Sequence, residues 1–435
     1  MSVVGHKATC CPSFPGSKLP GPLSLFTDVP EAVGTALERL PIESRSAVPL
    51  QGTYIMGRVC QDDDGQTWVP TVVKKTWLQI VNDPTLNHEY LPALGNPEFC
   101  RAALELAIGM DSTAVLENRA AGIQTPGGSG AIWIGAVFLH QWYNASAPNG
   151  TAVYISELTW ESHHNIFEDA GFTDVRSYRY WDNEKLMPDI KGLMDDLENA
   201  PDFSIVFLDC SIYNPTGIGL SFNEWDWIAE IAMRKNLLPF FYFPVQGLIS
   251  GDPELDSGPV RFFAEKGLEL FCAQSFSRNF GLYDDRVGNL IIITKQNKTL
   301  LSSRSQLEKL VRGAWGSPPA LGARIVATIL NNPTLYAEWK EDLRVKVERT
   351  ILVREKIREK LRIIGALGSW DHITDQAGIY NFLGLTPSQV EFLIQQRSIY
   401  LYVNGQINIS CLNYGNLDYV VHSIKEAVAE NDKKH

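Results

Sequence analysis

The sequence predicts an α/β protein with a large domain built on a mostly parallel sheet and a smaller α+β domain. Between residues 151 and 294, short β-rich runs alternate with helical patterns, which is typical of a parallel sheet covered by helices. A long charged helix follows, and short strands come after it. With 435 residues, 45% of them hydrophobic, the chain can bury a large core and form about two or three domains.

The predicted strands of the large domain are residues 153–156, 204–208, 238–243, 269–274 and 290–293. Between two of them, Ser221 and Glu224 have the spacing of a helix capping box, and Ile228 and Ile231 continue at helical spacing. We therefore expect a helix to begin there, with Trp225 and Trp227 facing the sheet.

A helix rich in Glu, Lys and Arg is predicted over residues 335–361, after Asn332 and Pro333. Short strands are predicted beyond it, at residues 399–403 and 407–410. This pattern differs from that of residues 151–294, and it indicates the second, smaller domain.

Charge and cysteine content exclude several classes of protein. A net charge of −12 argues against binding to nucleic acid or to an anionic membrane, and no apolar run approaches a membrane span of about 18 residues. The seven cysteines have neither zinc-ligand spacing nor a disulfide pattern.

Residues 1–27 lack acidic residues, as a mitochondrial presequence does, but they also lack Arg and contain several Gly and Pro. We expect a cytoplasmic protein with a mobile N-terminal extension.

The turn from Ser275 to Tyr283 reads Ser-Phe-Ser-Arg-Asn-Phe-Gly-Leu-Tyr, and Asp-Arg-Val-Gly-Asn begins at Asp285. These motifs resemble aspartate aminotransferases, which are class I pyridoxal-phosphate (PLP) aminotransferases, and especially a cytoplasmic paralogue with a degenerate active site. The likeness runs from about residue 25 to about residue 430. It implies PLP-dependent transferase fold type I, with an extension at 1–23, a large domain at 66–345, and a small domain at 24–65 and 346–430.

A glycine-rich turn, residues 127–130, precedes an apolar run, so its backbone N–H groups can converge on a phosphate at a helix N-terminus, although such a turn alone is weak evidence. The resemblance implies that Trp160 stacks on the cofactor ring and that Asn214 bonds its hydroxyl. A tryptophan is also common in cores, and Asn-Pro-Thr-Gly forms a turn by itself. The implied cofactor-binding positions are Gly127, Gly128, Ser129, Trp160, Asn214, Ser275, Ser277, Arg286 and, from the neighbouring subunit, Tyr90.

Three substitutions affect the reactive side of the implied site. Arg278 stands where the family has the lysine that forms a Schiff base with PLP, and a guanidinium is neither nucleophile nor proton shuttle at neutral pH. Tyr242 replaces the aspartate that keeps the pyridine nitrogen protonated, and Val245 replaces a tyrosine. Tyr242 and Val245 also fit ordinary sheet core.

Substrate recognition is half preserved by the same resemblance. Gln406 replaces the arginine that binds the α-carboxylate, whereas Arg312 matches the arginine that binds the side-chain carboxylate from the neighbouring subunit. Dicarboxylic amino and keto acids are the implied substrates.

The sequence thus favours a homodimer that binds PLP noncovalently and has little or no transaminase activity. Two alternatives remain open: an active or residually active aspartate aminotransferase, and a noncatalytic heterodimer partner of an active one.

Overall fold

The central element is a seven-stranded sheet. The computed structural model describes residues 52–57, 59–143, 150–159, 162–182, 185–210 and 216–432, which belong to one compact unit, residues 50–435. The predicted extension at 1–23 lies outside the described residues. The strands of this sheet are β2 (Ala120–Pro126), β3 (Val153–Ser156), β4 (Val175–Tyr178), β7 (Ile205–Asp209), β8 (Leu238–Phe243), β9 (Leu270–Ser275) and β10 (Val287–Ile293).

Only β10 runs against its neighbours in this sheet. It is antiparallel to β2 and to β9, whereas the pairs β9–β8, β8–β7, β7–β3 and β3–β4 are parallel. The predicted mostly parallel sheet is therefore confirmed. Two-stranded pairs lie outside it: β1 (Thr53–Tyr54) with β12 (Ile399–Tyr400), β5 (Trp181–Asp182) with β6 (Met187–Pro188), and β11 (Tyr380–Phe382) with β13 (Gln406–Asn408).

Helices cover the sheet and form the C-terminal part. They are α1 (Thr71–Val81), α2 (Pro97–Ile108), α3 (Thr113–Leu116), α4 (Gly127–Trp142), α5 (Ser162–Asp169), α6 (Ile190–Asn199), α7 (Phe222–Lys235), α8 (Pro253–Asp256), α9 (Gly258–Glu265), α10 (Asn297–Ala314), α11 (Leu321–Leu330), α12 (Pro333–Ile363), α13 (His372–Asp375), α14 (Pro387–Arg397) and α15 (Leu417–Asp432), with a 3₁₀ turn at Ile409–Cys411.

The two faces of the sheet carry different apolar cores. Along β8, Phe240 packs into the core beneath α4, while Phe241 and Phe243 pack into the core on the other face, beneath α7 and α9. Such burial on both faces explains the continuous apolar character of the strands. A separate core joins α12, α14 and α15 to the C-terminal strands. The proposed division at residues 66 and 345 stays a prediction.

The capping box predicted for α7 is present: the Ser221 hydroxyl accepts from the Glu224 N–H, and the Glu224 carboxylate accepts from the Ser221 N–H. Trp225 is buried as expected, but the prediction for Trp227 was wrong, since it is 50% exposed. Two residues along a helix correspond to a rotation of about 200°, which places Trp227 on the opposite face.

The long charged helix begins at Pro333, two residues before the predicted start, because the Asn332 side chain caps the Thr334 and Leu335 N–H groups. Beyond it, β12 and β13 are shorter than predicted, and the 3₁₀ turn replaces the end of the second predicted strand.

Candidate functional site

One edge of the central sheet collects most of the predicted site residues. The parallel strands β7, β8 and β9 end there, at Asp209, Phe243 and Ser275. Since β10 is antiparallel to both β2 and β9, β2 also ends at this edge and β10 begins there. The carboxyl ends of parallel strands are the usual place for ligand sites in α/β sheets. Gly127 follows β2, and Arg286 precedes β10, so both lie at this edge.

The glycine-rich turn forms the first turn of α4, which begins at Gly127 directly after β2. Gly127 has a φ of +73°, and a side chain there would place its Cβ 2.2 Å from Arg286 Nη2. Its N–H donates to the Arg286 carbonyl at 3.0 Å. Glycine is therefore required both by the left-handed backbone and by the close approach of the guanidinium.

Gly128 brings the same turn against two neighbouring strand ends. Its missing Cβ would lie 3.0 Å from Ser275 Cβ and 3.1 Å from Tyr242 Cε2. The Ser277 N–H donates to the Ser275 hydroxyl at 3.4 Å, and both serines are buried. Ser129 follows in the same helical turn. We call the group formed by Gly127, Gly128, Ser129, Ser275, Ser277 and Arg286 the anion cup.

Arg286 is held at the rim of the anion cup by backbone contacts. It is exposed, it has a φ of +53°, and its Nη1 donates to the Tyr283 carbonyl at 3.0 Å. No described carboxylate pairs with it within 4.0 Å. The helix N-terminus, the hydroxyls and a free guanidinium fork together provide what a phosphate group needs.

Arg278 lies among tyrosines. Its Nη2 donates to the Tyr380 hydroxyl at 3.2 Å, and its Cζ lies 5.7 Å from the centre of the Tyr380 ring. Its Nε is buried without a hydrogen-bond partner. The Tyr242 hydroxyl and the Tyr283 hydroxyl are close enough to interact electrostatically with the guanidinium.

These phenols stay protonated at neutral pH. Burial raises the pKa of Tyr242, and the Arg278 charge opposes that rise without cancelling it. Burial likewise raises the pKa of Tyr283, whose hydroxyl accepts from the Cys60 N–H at 2.8 Å. Tyr242 therefore presents a neutral phenol where the resemblance implies a carboxylate.

Two residues beneath Tyr242 were missed by sequence reasoning. Asp209 is buried at the end of β7, directly opposite Tyr242 in the strand register, and its charge raises the pKa of that phenol. The His163 ring packs edge-on against Tyr242 with centroids 5.0 Å apart, and its Nδ1 bonds the Thr159 hydroxyl at 2.7 Å. Burial lowers the pKa of His163 to about 3, so its ring is neutral. Asp209 lies at the end of a predicted strand, and this position in the sequence could have identified it as a residue of the site.

Two other positions of the predicted reactive and substrate region lie in the interior. Val245 packs in an apolar core with Phe276 and Phe280, as expected for a core residue at that position. Gln406 is buried in β13, opposite Phe382. A neutral amide cannot supply the charged fork of an arginine.

The two residues predicted to act in a neighbouring subunit are both exposed. The Tyr90 residue is 86% exposed. Arg312, in the last turn of α10, has a side chain that is 69% exposed and pairs with Glu308 at 2.7 Å. Trp160 and Asn214 lie outside the described residues.

Neither a metal cluster nor a membrane span was found in the part of the chain that the structure describes. No group of three His, Cys, Asp or Glu side chains could hold a metal ion among those residues. Their helices are all too short or too polar to cross a bilayer.

Comparison with known proteins agrees with this fold. The family model for aminotransferase class I and II matches residues 59–424. The cytoplasmic aspartate aminotransferase of Gallus gallus is 46% identical over 407 residues, which cover 94% of this chain and 99% of that protein.

Solved structures show the same architecture. An aspartate aminotransferase from the cytoplasm of Saccharomyces cerevisiae has a TM-score of 0.89 at 34% identity, covering 93% of this chain and 99% of its own. An aromatic-amino-acid aminotransferase from Burkholderia pseudomallei, covalently bound to pyridoxal phosphate, has a TM-score of 0.88 at 31% identity and covers 93% and 100%.

The fold and these matches thus place the chain in the class I and II aminotransferase family, with PLP-dependent fold type I. Within that class, the chain belongs to the aspartate aminotransferase family. The fold class and the family predicted from the sequence are both confirmed.

Proposed function

We propose that this protein binds PLP noncovalently through the anion cup and has little or no transaminase activity of its own. The observation that carries the proposal is the contrast within one sheet edge. The residues of the anion cup lie together, whereas Arg278, which the resemblance aligns with the family's Schiff-base lysine, is enclosed by tyrosines. Family members named cytoplasmic support a cytoplasmic location for this protein.

The described residues fit the phosphate part of PLP. Arg286 has no carboxylate partner within 4.0 Å among the described residues, and the absence of side chains at Gly127 and Gly128 lets Arg286 and the end of β9 approach the start of α4 closely. Ser275 and Ser277 offer hydroxyls beside it. Permanent charge and paired donors make arginine well suited to phosphate oxygens. Trp160 and Asn214 would hold the ring, as the family resemblance implies.

The same residues do not fit covalent attachment. PLP, when bound in an active family member, serves as an electron sink whose ring nitrogen is kept protonated by a carboxylate. Arg278 offers no neutral amine, and Tyr242 offers a neutral phenol. Gln406 cannot fork onto an α-carboxylate with charge-assisted bonds, which are worth about 1.5–3 kcal/mol. Dicarboxylic substrates would therefore bind weakly even with PLP in place.

Titration of the purified protein with PLP tests this proposal. We expect saturable binding that inorganic phosphate competes away and that dialysis reverses, with no transfer of the amino group from aspartate to 2-oxoglutarate. Arg286→Gln should weaken binding, whereas Arg234→Gln should leave it unchanged. Arg234 is a suitable control because it lies in the last turn of α7, paired with Glu198 on the surface. Aspartate turnover by the unmodified protein would contradict the proposal and favour an active enzyme.

A second candidate function is heterodimerisation with an active aspartate aminotransferase, beside a homodimeric state. The observation that favours it is the exposure of Tyr90 and Arg312, the residues predicted to act in the neighbouring subunit. In a mixed dimer they would complete the partner's site, while Arg278 and Tyr242 would silence only this chain's own site.

Co-expression with an active family member tests the second candidate. Mixed dimers should form and have about half the activity per dimer, and Arg312→Ala in this chain should lower the remaining activity toward dicarboxylates. The matched control is Arg344→Ala, an exposed arginine of α12 that also pairs with glutamates on its own helix. Strict sorting into homodimers would exclude this function.

A further inference from the structure

We infer that Arg278 is itself a ligand-binding group, and that the preferred ligand of the site is an aromatic phosphate monoester carrying a second anionic group, a carboxylate, on the ring beside the phosphate arm. The inference rests on the proposed function, because it takes the anion cup as the phosphate site. It goes further by assigning a positive role to the arginine that replaces the lysine.

The Arg278 guanidinium has N–H donors that no described residue accepts from. A guanidinium carries five N–H donors in a planar fork. Among the described residues, Nη2 donates to the Tyr380 hydroxyl and the guanidinium also interacts with the Tyr242 hydroxyl, while Nε is buried with no partner. Buried polar groups are normally paired, and a buried cation requires an anion or several strong acceptors. Arg278 therefore has unused capacity for a forked acceptor.

The surrounding side chains do not neutralise this charge. Burial keeps the Tyr242 and Tyr283 phenols protonated, so neither serves as a counter-ion. Asp209 ends the strand next to Tyr242 but forms no ion pair within 4.0 Å of Arg278. The face of the Tyr380 ring gives a cation–π contact at 5.7 Å, which stabilises a cation less than a carboxylate does.

Arg354 provides an internal contrast. It is more deeply buried than Arg278, and its Nε is also unpaired, but its Nη2 donates to the Gly378 and Tyr380 carbonyl oxygens at 2.7 and 3.0 Å. Arg354 thus ties α12 to the backbone of β11. Arg278 makes no comparable backbone bond among the described residues, and its neighbour Tyr242 touches the anion cup at Gly128. Of these two arginines, Arg278 is therefore the one that lies next to a residue of the site.

The geometry of the Arg278 guanidinium indicates which chemical group the ligand carries beside its phosphate arm. Two parallel N–H groups match the two oxygens of a carboxylate, whereas an aldehyde or a hydroxymethyl group offers one uncharged oxygen. A carboxylate would pair the buried charge when the ligand binds. The site should therefore discriminate among ring phosphates by the group next to the phosphate arm.

Three vitamin B6 phosphates that differ only at that group test the inference: pyridoxine 5′-phosphate (hydroxymethyl), PLP (aldehyde) and 4-pyridoxic acid 5′-phosphate (carboxylate). Dissociation constants would be measured by calorimetry at fixed ionic strength. We expect the carboxylate to bind about 10- to 100-fold more tightly than pyridoxine phosphate, as charge-assisted bonds predict. Arg278→Gln should remove that preference and leave the dissociation constant of pyridoxine phosphate within about threefold of its value for the unmodified protein.

A second variant, Arg278→Lys, keeps the charge and should keep part of the preference, so the test does not depend on one substitution being tolerated. If 4-pyridoxic acid 5′-phosphate and pyridoxine phosphate bound equally tightly to the unmodified protein, this inference would be overturned but the proposed function would not. Preference that persists in Arg278→Gln would also overturn it. If none of the three compounds binds and inorganic phosphate has no effect, the proposed phosphate site itself fails, and the inference with it.

Discussion

The two ends of the candidate site differ in how their chemistry is encoded. At the phosphate end, Gly127 and Gly128 act through their backbone and by allowing a close approach of neighbouring side chains, and Arg286 and the serines supply donors. At the ring end, each function predicted for the family depends on one side chain, at positions 278, 242 and 245. The comparison indicates that phosphate binding can outlast covalent chemistry, because the anion cup depends on the fold more than on any one reactive group.

Two arginines of a single loop illustrate the same difference. Arg286 is exposed, is anchored through Tyr283, and has its fork at Gly127, whereas Arg278 is enclosed by tyrosines eight positions earlier in the chain. The first is placed to receive phosphate from solvent, and the second stands where the family resemblance implies the reacting amine. Substitutions at each test whether the two ends are separable.

Arg278→Lys should have the largest effect. We expect PLP binding to change from reversible to covalent, with about one borohydride-fixed pyridoxyl group per chain, because the amine becomes available. Turnover of aspartate should remain low, since Tyr242 and Gln406 are unchanged. Intact-mass spectrometry and an aspartate assay measure the two effects. Turnover close to that of active family members would contradict the roles given to Tyr242 and Gln406.

Adding Tyr242→Asp and Gln406→Arg to Arg278→Lys should raise activity by more than the sum of the separate effects. Groups that act on one reaction as a unit are strongly nonadditive. The measurement is kcat/KM for aspartate in all single, double and triple variants. Additive behaviour would show that the ring end does not operate as a unit.

Arg286→Gln should weaken phosphate binding by about 10- to 100-fold, which corresponds to the loss of charge-assisted bonds. Pyridoxine phosphate is the probe, since it cannot form a covalent bond. The exposed Arg234→Gln serves as the control. Equal effects of the two variants would argue against the anion cup.

Gly127→Ala should have a smaller effect, composed of backbone strain and a clash. A non-glycine residue at this φ costs about 1–3 kcal/mol of stability, and the new Cβ would displace the Arg286 fork from its place. Gly267→Ala is the matched control, because Gly267 has a φ of +76° and nothing within 4 Å of its missing Cβ. Both variants should lower the unfolding midpoint, and only Gly127→Ala should weaken binding of pyridoxine phosphate. If both variants lost affinity for pyridoxine phosphate to the same extent, the close approach of Arg286 to Gly127 would not explain the loss.

The sequence predicted the sheet because its strands are apolar runs separated by helical patterns. The family resemblance also implied that the residues after β2 and β9 belong to one site, and the structure places both at one edge of the sheet. The enclosure of Arg278 was not predictable in this way. Tyr380 comes 102 residues later, in β11, and no pattern in the sequence connects it to Arg278. Trp227 was misassigned because helix phase depends on single residues.

The most direct test of noncovalent binding is borohydride reduction of the unmodified protein with one equivalent of PLP. The prediction is that binding is saturable, that dialysis removes the PLP, and that the intact mass after reduction is unchanged. Excess pyridoxine phosphate distinguishes site-specific from surface labelling, since it should displace only PLP held in the site. A single pyridoxyl group fixed on one lysine, and prevented by pyridoxine phosphate, would contradict the account.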